Sequence, residues 1–257
     1  MKWTFKKFSN LPKLKEPILI EGLPGIGNVG KIAVDFIIEE IKPKKIYEIF
    51  SYDLPHSVFV KENNLVELPK ITLYHKKIKN KDFLIMTGDT QPINENSCYE
   101  FCDELLDLLQ KQKVKEIITV GGIGLHKVPK EPVVYCTGNS KEIIKKYKEG
   151  TSMNDKVYGV VGPIVGVSGV LLGLAGRRKI PAISLLAETY GHPLYLGIKG
   201  AKEIIKVLNK KTEIKVNIDN IEKEIKDLES SIIKAKTVIS KGKNEKNIGN
   251  IGIDYIG

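Results

Sequence analysis

The stretch Pro17–Pro43, PILIEGLPGIGNVGKIAVDFIIEEIKP, decides the fold. Pro17 opens an apolar run, Ile18-Leu19-Ile20, which Gly22 closes. A run this short and this continuously apolar suits a strand buried on both faces. The glycine-rich turn LPGIGNVG comes next, then KIAVDFIIEEIK. There Ile32, Phe36 and Ile37 share one helical face, with Val29, Ala33 and Ile41 near its edges. Lys42-Pro43 stops the helix.

The same alternation continues outward. KKIYEIFSY reads as a second strand, and SVFV, VELPKITLY and DFLIMTG as further strands or hairpin arms. Asn94 to Gln112 reads as a helix, with Ser97 and Glu100 as a capping box and Cys98, Cys102, Leu105 and Leu109 as its inner stripe. EIITVGGIG, VVYCTG and IPAISLLAET are strands; SKEIIKKYKE, capped by Ser140, and GAKEIIKVLNK are helices. VYGVVGPIVGVSGVLLGLAGRRK reads as strand, glycine turn and helix, with Gly166, Gly169, Gly173 and Gly176 as a stripe for close approach of a neighbouring helix or subunit. Strands alternating with helices predict an α/β domain with a largely parallel sheet covered on both faces; SVFV and VELPKITLY suggest an antiparallel addition.

From Ile214 the pattern changes. Ile214, Ile218, Ile221, Ile225, Leu228, Ile232, Ala235 and Ile239 follow an a/d heptad stripe, with Asp219 and Glu222 placed to cap its start. Such a stripe packs on its own domain or forms a seam with another helix, so Ile218, Ile221, Ile225, Leu228 and Ile232 are candidate oligomer or arm-packing residues. The domain reading is a core over 1–212, a helical arm over 213–240 and a flexible tail over 241–257. That tail turns apolar and aromatic at Ile253, Tyr255 and Ile256.

The formal net charge is +10, from 41 Lys+Arg and 31 Asp+Glu. This raises nucleic acid as a partner, but the distribution argues against it. Residues 83–110 carry six acids and no base, 111–150 carry nine bases and four acids, and Arg appears only at 177 and 178. A scattered, lysine-dominated excess suits a solvated, thermophile-like surface. The longest apolar stretch, 157–176, is broken by Gly, Pro and Ser, which speaks against a membrane span, and the basic N-terminus lacks the apolar core of a signal peptide. Three cysteines without scaffold spacing fit a cytoplasmic protein.

Catalytic groups are hard to assemble. Gly25-x-Gly27-x-x-Gly30 sits between a strand and a helix, as a dinucleotide fingerprint does, and Glu48 lies near the distance of a ribose acid. The segment also scans as a phosphate loop through Gly30-Lys31, but Ile32 stands where a magnesium-binding hydroxyl is needed. The shared content is a candidate anion-binding turn at a helix N-terminus: Gly25, Gly27, Asn28 and Gly30. It serves equally for close strand–helix packing. Gly121-Gly122-Ile123-Gly124 and the glycines from Gly159 to Gly169 also follow strand ends, the edge where open α/β sheets build sites. His56, His75, His126 and His192 are scattered, Cys98 and Cys102 do not match a zinc hook, and Ser168 lacks the final glycine of a nucleophile elbow. Glu188 and His192 are a candidate acid/base pair. No metal, cofactor or catalytic residue is assigned.

Taken together, EGLPGIGNVGKIA, MTGDTQP, GGIG and VVGPIVGVSGVLLGLAGRRKIPAISLLAET resemble, in order over roughly residues 15–240, the archaeal branch of the proteasome assembly chaperone type-2 family. Members of it have sometimes been labelled ATP-grasp-like; this chain shows no placeable carboxylate set for magnesium. The resemblance implies a three-layer α/β/α fold of the phosphorylase/hydrolase kind, to which the heptad helix is added. It implies homo-oligomers and a non-enzymatic role in proteasome assembly, with proteasome α-subunits or a related chaperone as partner. It further implies a C-terminal anchor of the hydrophobic–Tyr–any-residue kind, for which Tyr255, Ile256 and Gly257 are the candidates here. This sequence ends Asp254-Tyr255-Ile256-Gly257, so its Tyr stands one residue early and follows an acid. The alternative reading is a nucleotide- or phosphate-binding α/β enzyme using the Gly25–Gly30 turn.

Overall fold

The computed structural model describes residues 3–10, 12–61, 63–159, 161–223 and 225. The chain falls into two units, Met1–Ile218 and Asp219–Gly257, and the fold below is that of the first. In chain order its elements are β1 (Thr4–Lys7), β2 (Ile18–Glu21), a 3-10 turn (Ile26–Asn28), α1 (Val29–Ile41), β3 (Lys44–Phe50), β4 (Phe59–Val60), β5 (Val66–Glu67), β6 (Ile71–Ile78), β7 (Lys81–Gly88), α2 (Glu95–Lys111), β8 (Glu116–Leu125), β9 (Val134–Gly138), α3 (Lys141–Lys148), α4 (Val167–Arg177), β10 (Ala182–Tyr190) and α5 (Ile198–Lys211).

Eight strands form one sheet in the order β1-β3-β6-β7-β2-β8-β10-β9, and β4 with β5 makes a separate hairpin. The centre, β7-β2-β8-β10, is parallel. Both margins are antiparallel: β1, β3 and β6 beyond β7, and β9 beyond β10. The centre is parallel because its strands are joined through helices, which reset the chain direction; the short β6–β7 connection reverses it. Helices α2 and α4 pack together on one face, and α1 and α5 on the other, giving three layers. Leu19, Leu84, Met86, Ile117 and Ala182 join the first layer's core with Phe101, Leu105 and Leu171. Their neighbours Ile18, Ile20, Phe83, Ile85 and Ile118 are buried too. The strands are thus apolar on both faces, as PILIEG predicts.

Several local expectations are corrected. The buried face of α1 is Val29, Gly30, Ala33, Val34 and Ile37, with Ile32 and Phe36 only half-buried. Small residues face inward because this helix lies unusually close to the sheet. Asn94, not Ser97, caps α2; Ser97 sits at the third helical position and completes a reciprocal pair, its N–H donating to Asn94 Oδ1 at 2.9 Å. Val157, Tyr158, Gly159 and Val161 are not in a strand, and VELPKITLY is cut at Pro69, which has no N–H to give a ladder. Strand β1 went unforeseen; beside it Trp3 stacks on Phe101 of α2, ring centroids 4.7 Å apart. The glycine stripe of α4 does not face one neighbour: a Cβ at Gly169 would strike Ile164 O and one at Gly176 would touch Asn139, while one at Gly173 would meet nothing within 4 Å.

At the C-terminal end, residues 218–223 are helical, so Asp219 lies inside the first turn rather than at its cap. Ile218 and Ile225 are half-buried and Ile221 is buried. Leu228, Ile232, Tyr255, Ile256 and Gly257 lie outside the described residues. Among the described residues no helix is long and apolar enough to cross a membrane.

Candidate functional site

Three glycine-rich segments meet where the central parallel strands end: the turn after β2, the last half of β8, and the loop that leads into α4. Between them lies a cleft of about 560 Å³. Its position, beyond the carboxyl ends of parallel strands, is where open α/β sheets place ligands. Its lining is unusual for a chain that is 28% charged. Among the described residues nineteen line it, seven of them glycine, and none carries a charge.

The candidate anion turn divides here. Gly25 and Gly30 line the cleft; Gly27 and Asn28 do not. Gly27 has φ 60° and lies against Thr189, whose Oγ1 would be 2.7 Å from an added Cβ. Gly30 lies against the backbone of β8, with Val120 O only 2.2 Å from where its Cβ would be. Both glycines are therefore required by close packing of the turn on the sheet. The supporting cast of a nucleotide site is elsewhere. The Lys31 ammonium pairs with Asp35 at 2.8 Å. Glu48 stands on β3, which β6 and β7 separate from β2, and pairs with Lys45 at 2.5 Å. A ribose acid belongs on the strand beside the fingerprint strand, so Glu48 does not take that role.

Under the cleft lies a residue that motif reading passed over. Glu21, the last residue of β2, is fully buried. Its Oε1 accepts the Leu23 N–H at 3.1 Å, and its Oε2 accepts the Ser168 hydroxyl at 2.9 Å. Burial pushes its carboxyl up to about 7, against the smaller opposing pull of those two hydrogen bonds. In register beside it stand Thr119 on β8 and Ser184 on β10, both buried, so a polar row crosses the sheet below α4. The sequence signal was an acid closing a wholly apolar strand. Ser168, half-buried at the first turn of α4, lines the cleft and bonds Glu21 through its side chain, as Leu23 does through its main chain.

Gln91, from MTGDTQP, fastens the cleft walls. Its Nε2 donates to Pro24 O at 2.5 Å, and its Oε1 accepts the Val167 N–H at 2.9 Å. One side chain thus ties the turn after β2 to the start of α4. Replacing Gln91 with alanine is expected to cost about 1–2 kcal/mol, because the Val167 N–H and the Pro24 carbonyl both lose a partner. Thermal unfolding checks it; an unchanged midpoint would mean the clasp contributes nothing.

The remaining candidates do not converge. Glu188 accepts the Val133 N–H at 3.0 Å, while His192 stacks on Tyr190 at 5.5 Å; the two form no acid/base pair. Cys98 and Cys102 are buried thiols. Their mutual hydrogen bond, together with burial, raises Cys102. Among the described residues no group of three or more His, Cys, Asp or Glu is placed to hold a metal ion.

The fold and cleft define a three-layer α/β/α protein whose strand-end site is built from backbone and apolar side chains rather than reactive groups. The chain belongs to the PAC2 family, whose model matches residues 19–236. It is 34% identical to Pyrococcus furiosus PbaB, an archaeal proteasome activator, with a TM-score of 0.83 over 92% of this chain and 100% of that one. Pyrococcus furiosus PbaA, an archaeal homolog of proteasome-assembly chaperone, is 25% identical, with a TM-score of 0.78 over 95% of each chain. An uncharacterized protein of Methanocaldococcus jannaschii is 32% identical over 232 residues, 90% of this chain and 87% of its own.

Proposed function

We propose that this protein is a cytoplasmic, non-enzymatic homologue of the proteasome assembly chaperones that self-associates and contacts proteasome subunits. The observation that carries this reading is likeness over nearly the whole chain to PbaB and PbaA, both described by their relation to the proteasome. The uncharged cleft supports it from the side of chemistry. A phosphate or nucleotide site draws on cationic side chains or a metal, and the described residues of the cleft lining include no cation. The candidate contacts are the tail residues Tyr255, Ile256 and Gly257, with Ile218, Ile225, Leu228 and Ile232 as the self-association seam, Ile221 being buried within the single chain.

The test is capture of archaeal 20S proteasome α-subunits, and of their assembly intermediates, by the intact chain and by a chain lacking its last three residues. The intact chain is expected to retain them and the truncated chain to lose most of the binding. Failure of the intact chain to retain either would overturn the proposed role. Binding that survives truncation would move the contact off the tail.

A further inference from the structure

The sheet leaves part of one strand unpartnered, and it does so inside the cleft. On one side β8 pairs with β10 to its last residue, Leu125 opposite Tyr190. On the other side its partner β2 stops early: the last pair is Glu21 opposite Thr119. From Val120 onward no strand lies on that side. Val120, Gly121, Gly122, Ile123 and Gly124 all line the cleft. Among the described residues, no hydrogen bond from outside the sheet reaches the main chain of these five. Alternate residues of a strand point to each side: Gly121 and Ile123 face β10, and Val120 O lies against Gly30, so the free main-chain groups of this edge are those of Gly122 and Gly124. Both are glycine, and the chain's own turn already lies against one face of them, an added Cβ at Gly122 meeting Ile26 O at 2.4 Å.

We propose that this edge receives an extended peptide segment of a partner protein, which enters the cleft and adds a strand beside β8 where β2 has ended. Main-chain pairing supplies the affinity, and pockets for alternate side chains supply the selectivity. Gly122 to Gly124 offers about 10 Å of edge, enough for a segment of roughly three residues. The other walls set its chemistry. Leu23, Ile26, Val165 and Leu186 are apolar, and among the described residues no charged side chain lines the cleft. The segment is therefore uncharged, with small apolar side chains. A phosphorylated or acidic ligand would find no counter-charge here.

The choice of probe rests on the proteasome reading: short capped peptides tiled across the archaeal 20S α- and β-subunits, arrayed and then titrated in solution. Two variants block the cleft with little risk to the fold. A Cβ at Gly162 or Gly25 meets nothing within 4 Å, both line the cleft, and Gly25 has the extended φ of −160° that any residue adopts. Gly162→Phe and Gly25→Phe are expected to keep the melting temperature within a few degrees and to weaken peptide binding at least tenfold. N-methylation of alternate backbone nitrogens in the best peptide is expected to weaken it by a similar factor, and the bound peptide to slow amide exchange at Gly122 and Gly124. No binding by any tiled peptide, or binding indifferent to both variants, overturns the proposal. Binding indifferent to N-methylation overturns main-chain pairing. A change of oligomeric state in Gly162→Phe with no peptide bound would show the cleft closing on a second copy, and also overturns it. Capture of whole α-subunits is scored separately. If the intact chain and both variants retain them equally and no peptide binds, the cleft proposal fails while the proteasome reading stands.

Discussion

Gly30→Ala is expected to destabilise the protein by about 3 kcal/mol or more, in the upper range for overpacking. The added Cβ would stand 2.2 Å from Val120 O. That atom is backbone in a central strand held on its other side by β10, so it has no rotamer to change. Either α1 moves away from the sheet or β8 bends. For a chain of this size the loss is expected to lower the melting temperature by roughly 6–12 °C. Gly173→Ala is the matched control. Gly173 lies in α4, is exposed, and its added Cβ meets nothing within 4 Å. That substitution is expected to stabilise by about 0.5–1 kcal/mol, through the entropy of the unfolded chain and the better helix propensity of alanine. Calorimetry on the pair separates the two effects. Equal shifts in both variants would mean that helix propensity, not contact with β8, governs Gly30.

Glu21→Gln is expected to reshape how stability depends on pH. In the folded chain burial raises the carboxyl to about 7, from 4.5. Between those pH values the folded protein holds a proton that the unfolded chain releases, so stability falls as pH rises and levels off above about 7. The fall attributable to Glu21 is about 3 kcal/mol, on the order of two and a half pKa units. Glutamine keeps an acceptor for the Leu23 N–H and a donor for Ser168 and does not titrate. The variant should therefore match the parent near pH 4.5 and exceed it by up to about 3 kcal/mol at pH 8. Urea unfolding at the two pH values measures this, and other titrating groups cancel in the difference. Parallel pH profiles for parent and variant would show that the Glu21 carboxyl titrates in the folded chain as it does in the unfolded one.

The sequence made the frame of this protein legible and its site only partly so. Pro17–Gly22 as a doubly buried strand, α1 stopping at Lys42-Pro43, the Ser140 cap and the inner stripe of α2 follow from local period and capping chemistry, and the structure has them. The buried face of α1 was misjudged because hydrophobicity ranks Ile32 and Phe36 above Gly30 and Ala33. The contact instead selects for smallness, a property of the neighbouring strand that local period does not carry. The convergence of glycine turns at one sheet edge was legible, and the cleft is built from them. What the glycines do was not. GxGxxG reads alike whether backbone N–H groups await a phosphate or a helix must lie flush on a strand. Glu21 went unnoticed because its partner Ser168 is far off in sequence and only the fold brings them within 2.9 Å. Gln91 joining Pro24 to Val167 is hidden for the same reason.

The strand order has a consequence for the protein's synthesis. β2 is made early yet sits mid-sheet, and its two neighbours come much later: Ile18 lies beside Phe83 on one side and Glu116 on the other. At about 5–20 residues per second, a nascent β2 waits roughly 5–20 s before its second neighbour has even left the ribosome. Until β7 emerges Ile18-Leu19-Ile20 has no neighbouring strand, and until β8 emerges one of its sides stays open. A protein whose relatives are described by what they do for another assembly therefore has a vulnerable period of its own, and translation rate or general chaperones, rather than final stability, should govern its yield.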